Sequence, residues 1–198
     1  MKGKRFIFLL LAVPALAAAL EAELTRQNLR TAYNNEVNTR LRYASFAAKA
    51  DAEGYPGVAS TFRAVAYSES IHAARHAAAL EAIGGKAVEY SISYAVKSTE
   101  ENLGEAARLE KKESLMVYPA FARQAEEDKD EKAVVSFKGA MASEAGHYRI
   151  FSRLLKSTDE WKRKIAILIC RTCGYTTDSP DINSCPFCGH PRENFTEM

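Results

Sequence analysis

The chain has 198 residues, of which 47% are hydrophobic and 26% are charged. This length supports one mid-sized hydrophobic core together with a small additional domain. The formal net charge is only +2, so we expect no nucleic-acid partner, and charge gives no argument for an anionic membrane surface. All four cysteines lie between Cys170 and Cys188, which sets the tail apart chemically from the rest of the chain.

Residues 1–22 have the pattern of an export signal. A basic stretch at residues 2–5 precedes an apolar run at residues 6–16, and an Ala-x-Ala cleavage signal follows at residues 17–19. The run is shorter than the ~20 residues of a membrane span, which leaves an uncleaved anchor as the alternative. We therefore expect a periplasmic protein whose mature chain begins near Leu20 or Glu23.

Four segments with helical periodicity predict an all-α four-helix bundle. They cover about residues 25–53, 58–83, 98–129 and 131–157. The stretch between the second and third segments, residues 84–98, has little periodicity and reads as a long crossover. Among four-helix bundles, a long connection between the second and third helices is typical of ferritin-like topology.

Two Glu-x-x-His motifs occupy inward positions of the second and fourth helices. They are Ser68-Glu69-Ser70-Ile71-His72 and Ser143-Glu144-Ala145-Gly146-His147. A spacing of three places Glu and His on one helix face, which here is the apolar face. A satisfied buried polar pair would explain a single motif, but the repetition favours a shared site.

The first and third helices bring further carboxylates to the same interior. Glu36 lies on the inward face of the first helix, and Glu110 and Glu113 lie one turn apart on the third. Two such carboxylates repel each other and resist burial unless a cation holds them. Pro119 is expected to kink the helix just beyond them. His76, one turn beyond His72, is expected either to support the ligands or to be only partly buried, and not to bind metal.

These residues predict a cage for two metal ions. Oxygen and imidazole ligands suit iron or manganese, and five carboxylates balance two iron ions across the ferrous and ferric states. Open positions between the ions would admit peroxide or dioxygen. The candidate ligands are Glu36, Glu69, His72, Glu110, Glu113, Glu144 and His147.

The tail predicts a second metal site. Alternating apolar residues at 165–169 indicate a short strand, which leads to Cys170-x-x-Cys173-Gly and later Cys185-x-x-Cys188-Gly. Such paired motifs present four thiolates to one metal. Two disulfides are the alternative in an oxidising compartment, although the close spacing within each pair favours a metal. Spacing does not decide between iron and zinc.

With these motifs, the chain resembles the rubrerythrin family over nearly all of its mature length. The resemblance rests on Glu36-x-x-x-Arg40-x-x-Tyr43, both Glu-x-x-His motifs, Glu110-x-x-Glu113 with Tyr118-Pro119, and the two cysteine motifs. It implies a ferritin-like di-iron domain at residues 23–160 and a small β-rich, rubredoxin-like domain at residues 165–198.

The resemblance also implies a function. A rubrerythrin would reduce hydrogen peroxide to water at two iron ions, with electrons relayed through one iron (or a zinc in its place) at the four-cysteine site. Tyr43 and Tyr118 would donate hydrogen bonds to the carboxylates, and one iron would move between Glu113 and His72 with redox state. The resemblance implies a homodimer in which the four-cysteine domain of one subunit faces the di-iron site of the other.

One feature departs from the family, whose members are usually cytoplasmic and lack an export signal. A cytoplasmic NAD(P)H reductase cannot reach an exported enzyme, so the electron donor is unidentified. Two other functions compete with the peroxidase. They are ferritin-type iron oxidation or storage, which needs neither Glu113 nor a four-cysteine site, and a non-enzymatic electron carrier or zinc-ribbon module.

Overall fold

The computed structural model describes residues 12–198, with side chains from Glu23 onward. The expected export signal, residues 1–22, therefore lies outside the residues whose side chains are described, and it stays a prediction. Among the described residues, no helix combines the length and the apolar character that a membrane crossing requires.

The predicted four-helix bundle is confirmed, with the third helix built from two α-helical pieces. The helices are α1 (Ala12–Ala52), α2 (Pro56–Ala82), α3 (Thr99–Lys112), α4 (Tyr118–Glu127) and α5 (Glu131–Lys156). Helix α1 begins before the predicted residue 25, because the small apolar residues there continue the helix without a break.

Local sequence signals set the helix ends. Ser98 caps α3 in a capping box with Glu101, each side chain bonding the other residue's backbone N–H. The Asp130 side chain accepts from the N–H of Ala133 at the start of α5. After α2, Gly84 has φ = +76°, a left-handed conformation that glycine adopts without strain.

A π-helical turn stands where a kink at Pro119 was expected. It spans Glu113–Val117, and the N–H of Tyr118 donates to the carbonyl of Glu113, five residues back. Pro119 has no N–H for the carbonyl of Leu115, so the helix cannot keep its regular pattern here. The chain absorbs the mismatch as a wider turn, a feature often found at functional sites.

Two apolar clusters enclose the interior of the bundle. Towards one end, the rings of Tyr43, Phe46, Phe62 and Phe151 pack together with centroids 5.1–6.1 Å apart. Towards the other end, a second cluster contains Tyr118 and Phe137 with buried Leu29 and Leu80. Each cluster contributes one tyrosine that hydrogen-bonds a central glutamate, so the predicted ligands lie between the two.

The crossover from α2 to α3 has no helix or strand at residues 85–98, as predicted. Asn34 and Asn38 of α1 hold it by side-chain bonds to its backbone. Asn34 bonds the carbonyl of Val88 and the N–H of Tyr90 at 3.0 and 2.9 Å. Asn38 bonds the carbonyl of Tyr90 and the N–H of Ile92 at 2.9 and 2.7 Å.

The C-terminal part is a small three-stranded antiparallel sheet in the order β2-β1-β3. Its strands are β1 (Leu168–Cys170), β2 (Thr176–Thr177) and β3 (Phe195–Glu197), and 3₁₀ helices span Thr158–Lys162 and Arg192–Asn194. The strand thus begins later than the predicted residue 165. Ile167 still exchanges two backbone hydrogen bonds with Met198, at 3.0 and 2.9 Å.

Candidate functional site

The bundle brings carboxylates and imidazoles from four helical segments to one buried point. Two groups form, within each of which the potential ligand atoms lie within 4.8 Å of one another. The two groups share Glu69 and Glu144, as expected of carboxylates that bridge two metal ions. The first group is Glu36, Glu69, His72 and Glu144, and the second is Glu69, Glu110, Glu144 and His147.

Both histidines turn Nδ1 toward the carboxylates. His72 Nδ1 lies 2.8 Å from Glu69 Oε2 and 3.1 Å from Glu144 Oε1. His147 Nδ1 lies 2.7 Å from Glu144 Oε2, 3.3 Å from Glu69 Oε1 and 3.4 Å from Glu110 Oε2. Nδ1 of each ring is therefore the nitrogen that would bind a metal held by these carboxylates.

Several buried atoms of this cage lie close to other polar atoms but make no well-directed hydrogen bond among the described residues. They include both carboxylate oxygens of Glu144, Oε2 of Glu110 and Nδ1 of His147. An unpaired buried polar atom costs free energy, more so when it is charged. Cations between these atoms would satisfy them, so the residues fit a pair of metal ions.

The electrostatics of the cage lead to the same conclusion. Burial and the neighbouring carboxylates raise the pKa of Glu36 and Glu110 well above the ordinary value. Burial opposes the ionisation of Glu144, yet His72 and His147 hold its pKa low. Without metal, protons on Glu36, Glu110 and the two imidazoles balance this charge. Metal binding must therefore displace protons.

Of the seven candidate ligands, Glu113 is the one that belongs to neither group of close ligand atoms. It belongs to the π-helical turn and keeps 9% of its surface exposed. Burial and the charges of Glu144 and Glu69 raise its pKa to about 8. An opening of about 160 Å³, lined by residues that include Asn38, Arg42 and Lys112, reaches it from the surface. Solvent therefore reaches the carboxylate of Glu113 through this opening.

Two buried tyrosines lie where the resemblance implied. Tyr43 donates to Glu110, and Tyr118 donates to Glu36. Burial, with the adjacent carboxylates, raises the pKa of both phenols well above the usual value. The hydroxyls therefore stay protonated and act as hydrogen-bond donors to the cage.

His76 is fully buried but belongs to neither group of ligand atoms, in keeping with its expected supporting place. Its Nε2 lies 3.3 Å from the Tyr118 hydroxyl, and its Nδ1 lies 2.8 Å from the hydroxyl of Ser136. Burial lowers its pKa to about 3, so the imidazole is neutral. Sequence reasoning did not find Ser136, because a serine on a helix carries no motif.

The four cysteines are unpaired thiols that converge on one point. The Sγ atoms of Cys170 and Cys188 are 3.6 Å apart, and those of Cys173 and Cys185 are 3.5 Å apart. Gly174 and Gly189 follow the two motifs with φ of +82° and +74°, conformations that favour glycine. This arrangement fits a single metal ion with four thiolate ligands and not two disulfides.

The four-cysteine domain, predicted at residues 165–198, contacts the metal-site residues directly. The carbonyl of Gly174 accepts from the hydroxyls of Ser68 and Ser143, at 2.7 and 2.8 Å. Oγ1 of Thr176 lies 3.0 Å from Nε2 of His147. A side chain at position 174 would collide with the His72 ring. The Gly174 loop folds back onto α2 and α5, so the two sites are in contact although they lie in separate segments of the chain.

This contact escaped sequence reasoning, although a signal for it was present. Each Glu-x-x-His motif is preceded by a serine, and both serines bind the same carbonyl. Ion pairs also join the tail to the bundle. Asp178 of the tail pairs with Arg149 of α5 at 3.1 Å and with Arg153 of the same helix.

Comparison with known proteins gives the same picture. Residues 27–155 match the Rubrerythrin family. The chain is 34% identical over 188 residues to rubrerythrin from Porphyromonas gingivalis, covering 91% of this chain and 92% of that protein. It is 31% identical over 176 residues to nigerythrin from Nitratidesulfovibrio vulgaris, covering 87% and 85%.

Solved structures agree. The fully reduced, all-ferrous state of nigerythrin superimposes with a TM-score of 0.81 at 29% identity, covering 88% of this chain and 86% of that one. A bacterioferritin from Desulfovibrio desulfuricans gives a TM-score of 0.65 at 16% identity, over 74% and 86% of the two chains, which shows the fold alone. With a di-iron carboxylate–histidine site in the bundle and a four-cysteine metal site in the tail, the chain belongs to the rubrerythrin family.

Proposed function

We propose that this chain reduces hydrogen peroxide to water at the buried carboxylate–histidine site. The chain is a di-iron protein of a family of oxidative-stress peroxidases, which supports this reaction class. The observation that carries the proposal is the direct contact of the four-cysteine domain, through Gly174 and Thr176, with the two histidines of the cage. An enzyme that consumes electrons needs such a contact, whereas a storage protein does not.

The side chains of the cage have separate tasks in this reaction. Glu69 and Glu144, shared by both groups of ligand atoms, would bridge the two metal positions. Tyr43 and Tyr118 keep the carboxylates oriented by hydrogen bonds. Two iron ions, when bound, supply the two electrons that one peroxide consumes, and two protons complete the conversion to two waters.

Glu113 and His72 would alternate as ligands of one metal position. His72 lies inside the cage, and Glu113 lies beside it on the wider π-helical turn. An exchange of these two side chains at one metal position would keep the charge of the site balanced as the iron changes oxidation state. The opening at Glu113 is the entry route for a molecule as small as peroxide.

A relay through the tail would supply the electrons one at a time. Gly174 follows Cys173 directly, and its carbonyl accepts a hydrogen bond from the Thr176 hydroxyl at 2.9 Å. The same hydroxyl oxygen lies 3.0 Å from His147 Nε2. A path of covalent and hydrogen bonds therefore joins a thiolate ligand to an imidazole ligand within one chain. We propose that the tail metal is iron, since zinc cannot change oxidation state.

The location and the partners of the protein are also proposals. The basic and apolar pattern of residues 1–22 supports export to the periplasm. The physiological electron donor would then be a periplasmic protein and not a cytoplasmic NAD(P)H reductase. A homodimer, implied by the family resemblance, is compatible with a relay within each chain.

The test of the proposed reaction is an anaerobic titration. The full chain is loaded with iron, reduced chemically and mixed with measured amounts of hydrogen peroxide. We expect one peroxide to oxidise two ferrous ions of the bundle, with water as the product and no oxygen released. Release of oxygen, or reaction with dioxygen alone, would instead favour a catalase-like or a ferritin-type role.

A further inference from the structure

We propose that Ser136, His76 and Tyr118 form a proton path from a surface cleft to Glu36 of the cage. This inference rests on the proposed function, because the reduction of each peroxide consumes two protons. None of these three side chains is a candidate metal ligand.

The path is continuous at hydrogen-bond distances. Ser136 Oγ lies 2.8 Å from His76 Nδ1, His76 Nε2 lies 3.3 Å from the Tyr118 hydroxyl, and that hydroxyl bonds Oε1 of Glu36. All four residues are buried, with Ser136 the most exposed at 3%. The His76 ring lies nearly parallel to that of Tyr118, with an interplanar angle of 20°. Phe137 packs against both rings.

The three hydrogen bonds of the path all run in one direction, with each donor on the side nearer the surface. The Tyr118 hydroxyl donates to Glu36, so its oxygen is free to accept from His76 Nε2–H. A neutral imidazole has one N–H, so a proton on Nε2 makes Nδ1 the acceptor. The Ser136 hydroxyl then donates to Nδ1. Each group can therefore pass its own proton toward the cage while it takes another from the outer side.

The outer end of the path opens to solvent. Ser136 lies in the wall of a cleft of about 530 Å³ between α2 and α5, with Arg75, Glu131, Lys132 and Val135 among the other lining residues. Water in this cleft can replace the proton of the Ser136 hydroxyl. The cleft and the opening at Glu113 are lined by different residues, so protons and peroxide would reach the cage by different routes.

Peroxide reduction consumes protons inside the bundle. When peroxide is reduced, its O–O bond breaks, the iron pair gives up two electrons, and two protons from water complete two water molecules. Apolar side chains enclose the cage on both sides of the bundle, and unaided proton transfer through them is slow. A neutral imidazole between two hydroxyls transfers a proton by changing tautomer, which requires no charged intermediate in the core.

The first experiment determines where the proton of His76 lies. Nitrogen-15 NMR of the histidines is recorded on the full chain loaded with zinc, which is diamagnetic. We expect a neutral His76 with its proton on Nε2, and a shift of the Nδ1 resonance in Ser136→Ala, which removes the outer donor. A proton on Nδ1 would reverse the direction of donation, and an imidazolium at neutral pH would leave no acceptor for the Ser136 proton. Either result would overturn the path.

The second experiment measures proton delivery. Prereduced, iron-loaded protein is mixed with peroxide in H₂O and in D₂O, and a single oxidation of the bundle iron is followed. We expect Ser136→Ala to slow this step by about tenfold or more, at unchanged iron content, and to alter its solvent isotope effect. Ser136→Thr, which keeps the hydroxyl, should restore the rate, and His76→Gln, which cannot change tautomer, should behave like Ser136→Ala.

Ser60→Ala is the matched control, because Ser60 is a buried serine of α2 that bonds only its own helix, at the carbonyl of Gly57. If wild-type protein consumes peroxide while Ser136→Ala and His76→Gln match it in rate and isotope effect, the path is wrong and the peroxidase proposal stands. If wild-type protein does not oxidise its iron with peroxide, the peroxidase proposal fails, and the NMR result alone decides the hydrogen-bond direction.

Discussion

Oγ1 of Thr176 lies 3.0 Å from Nε2 of His147 and donates its proton to the carbonyl of Gly174. With metal bound, the hydroxyl oxygen would accept from Nε2–H of the imidazole, and Nδ1 of His147 would be left free to bind the metal. A threonine of the four-cysteine domain thereby helps set the tautomer of a metal ligand in the bundle. Hydrogen bonds of this kind orient a ligand and increase its basicity.

Thr176→Val tests this bond, because it removes the hydroxyl and keeps the shape of the side chain. We expect transfer from the tail iron to the bundle iron to slow by about tenfold or more, and bundle metal affinity to fall by a similar factor. Stopped-flow absorbance of the thiolate–iron chromophore and metal titration measure the two effects. Thr177→Val, the neighbouring buried threonine, is the control. Unchanged transfer in Thr176→Val would remove Thr176 from the relay.

His147→Ala tests the separation of the two metal sites. The variant loses a ligand of the bundle site, so we expect iron there to fall by about tenfold or more. The tail site should keep its metal because its four thiolates are complete without the bundle. Metal content per chain and thiolate absorbance give the two occupancies. His190→Ala, at an exposed histidine of the tail, is the control. Equal loss at both sites would show that the sites assemble together.

The sequence predicts the bundle and the ligands because both depend on local patterns. Helical periodicity locates four helices, and the motifs Glu69-x-x-His72 and Glu144-x-x-His147 identify two of their inward faces. The π-helical turn at Glu113–Val117 was not predicted. Pro119 predicts a local disruption of the helix, but the sequence does not decide whether the helix bends or forms a wider turn.

Gly174 contacts Ser68 and Ser143, which are 106 and 31 positions away from it in the sequence. No periodicity links such residues. Ser136, His76 and Tyr118 meet for the same reason, through the packing of three helical segments.

The pH dependence of stability should differ in sign between the metal-free and metal-loaded protein. In the metal-free fold, the pKa of Glu113 rises to about 8 and that of His72 to about 9. Burial is the largest influence on Glu113, whereas the charges of Glu144 and Glu69 outweigh burial at His72. A raised pKa contributes stability below the unfolded value that is lost as pH rises through the folded value. The metal-free protein should therefore lose stability between about pH 6.5 and 9.

The metal-loaded protein should gain stability over the same range, because metal displaces protons from Glu36, Glu110 and Glu113 and binds more tightly as pH rises. Urea unfolding of both forms at several pH values, under anaerobic conditions, measures the two slopes. Parallel slopes would show that these carboxyls do not exchange protons for metal.

Export can be tested on protein from its own cells. The pattern at residues 1–22 predicts cleavage near Leu20 or Glu23 and a periplasmic location. Amino-terminal sequencing and cell fractionation provide the two measurements. A soluble cytoplasmic protein that begins at Met1 would contradict export, and a membrane fraction with an intact amino terminus would indicate the uncleaved anchor.

The relay can be assigned to one chain or to two by mixing variants. His147→Ala lacks the bundle site, and Cys185→Ser lacks the tail site. If electrons pass within each chain, as the contact of Thr176 with His147 favours, a mixture of the two refolded together should show no more activity than either variant alone. Recovered activity would show transfer between subunits.

Cys185→Ser is the most direct test of a peroxidase that receives its electrons through the four-cysteine site. Loss of one thiolate changes or abolishes the redox couple of the tail site and leaves the bundle ligands intact. Prereduced Cys185→Ser protein should therefore oxidise its bundle iron once with peroxide at the wild-type rate, and then fail to turn over with an electron donor. Continued turnover at the wild-type rate would mean that the four-cysteine site is only structural, and absence of the first oxidation would mean that peroxide is not the substrate.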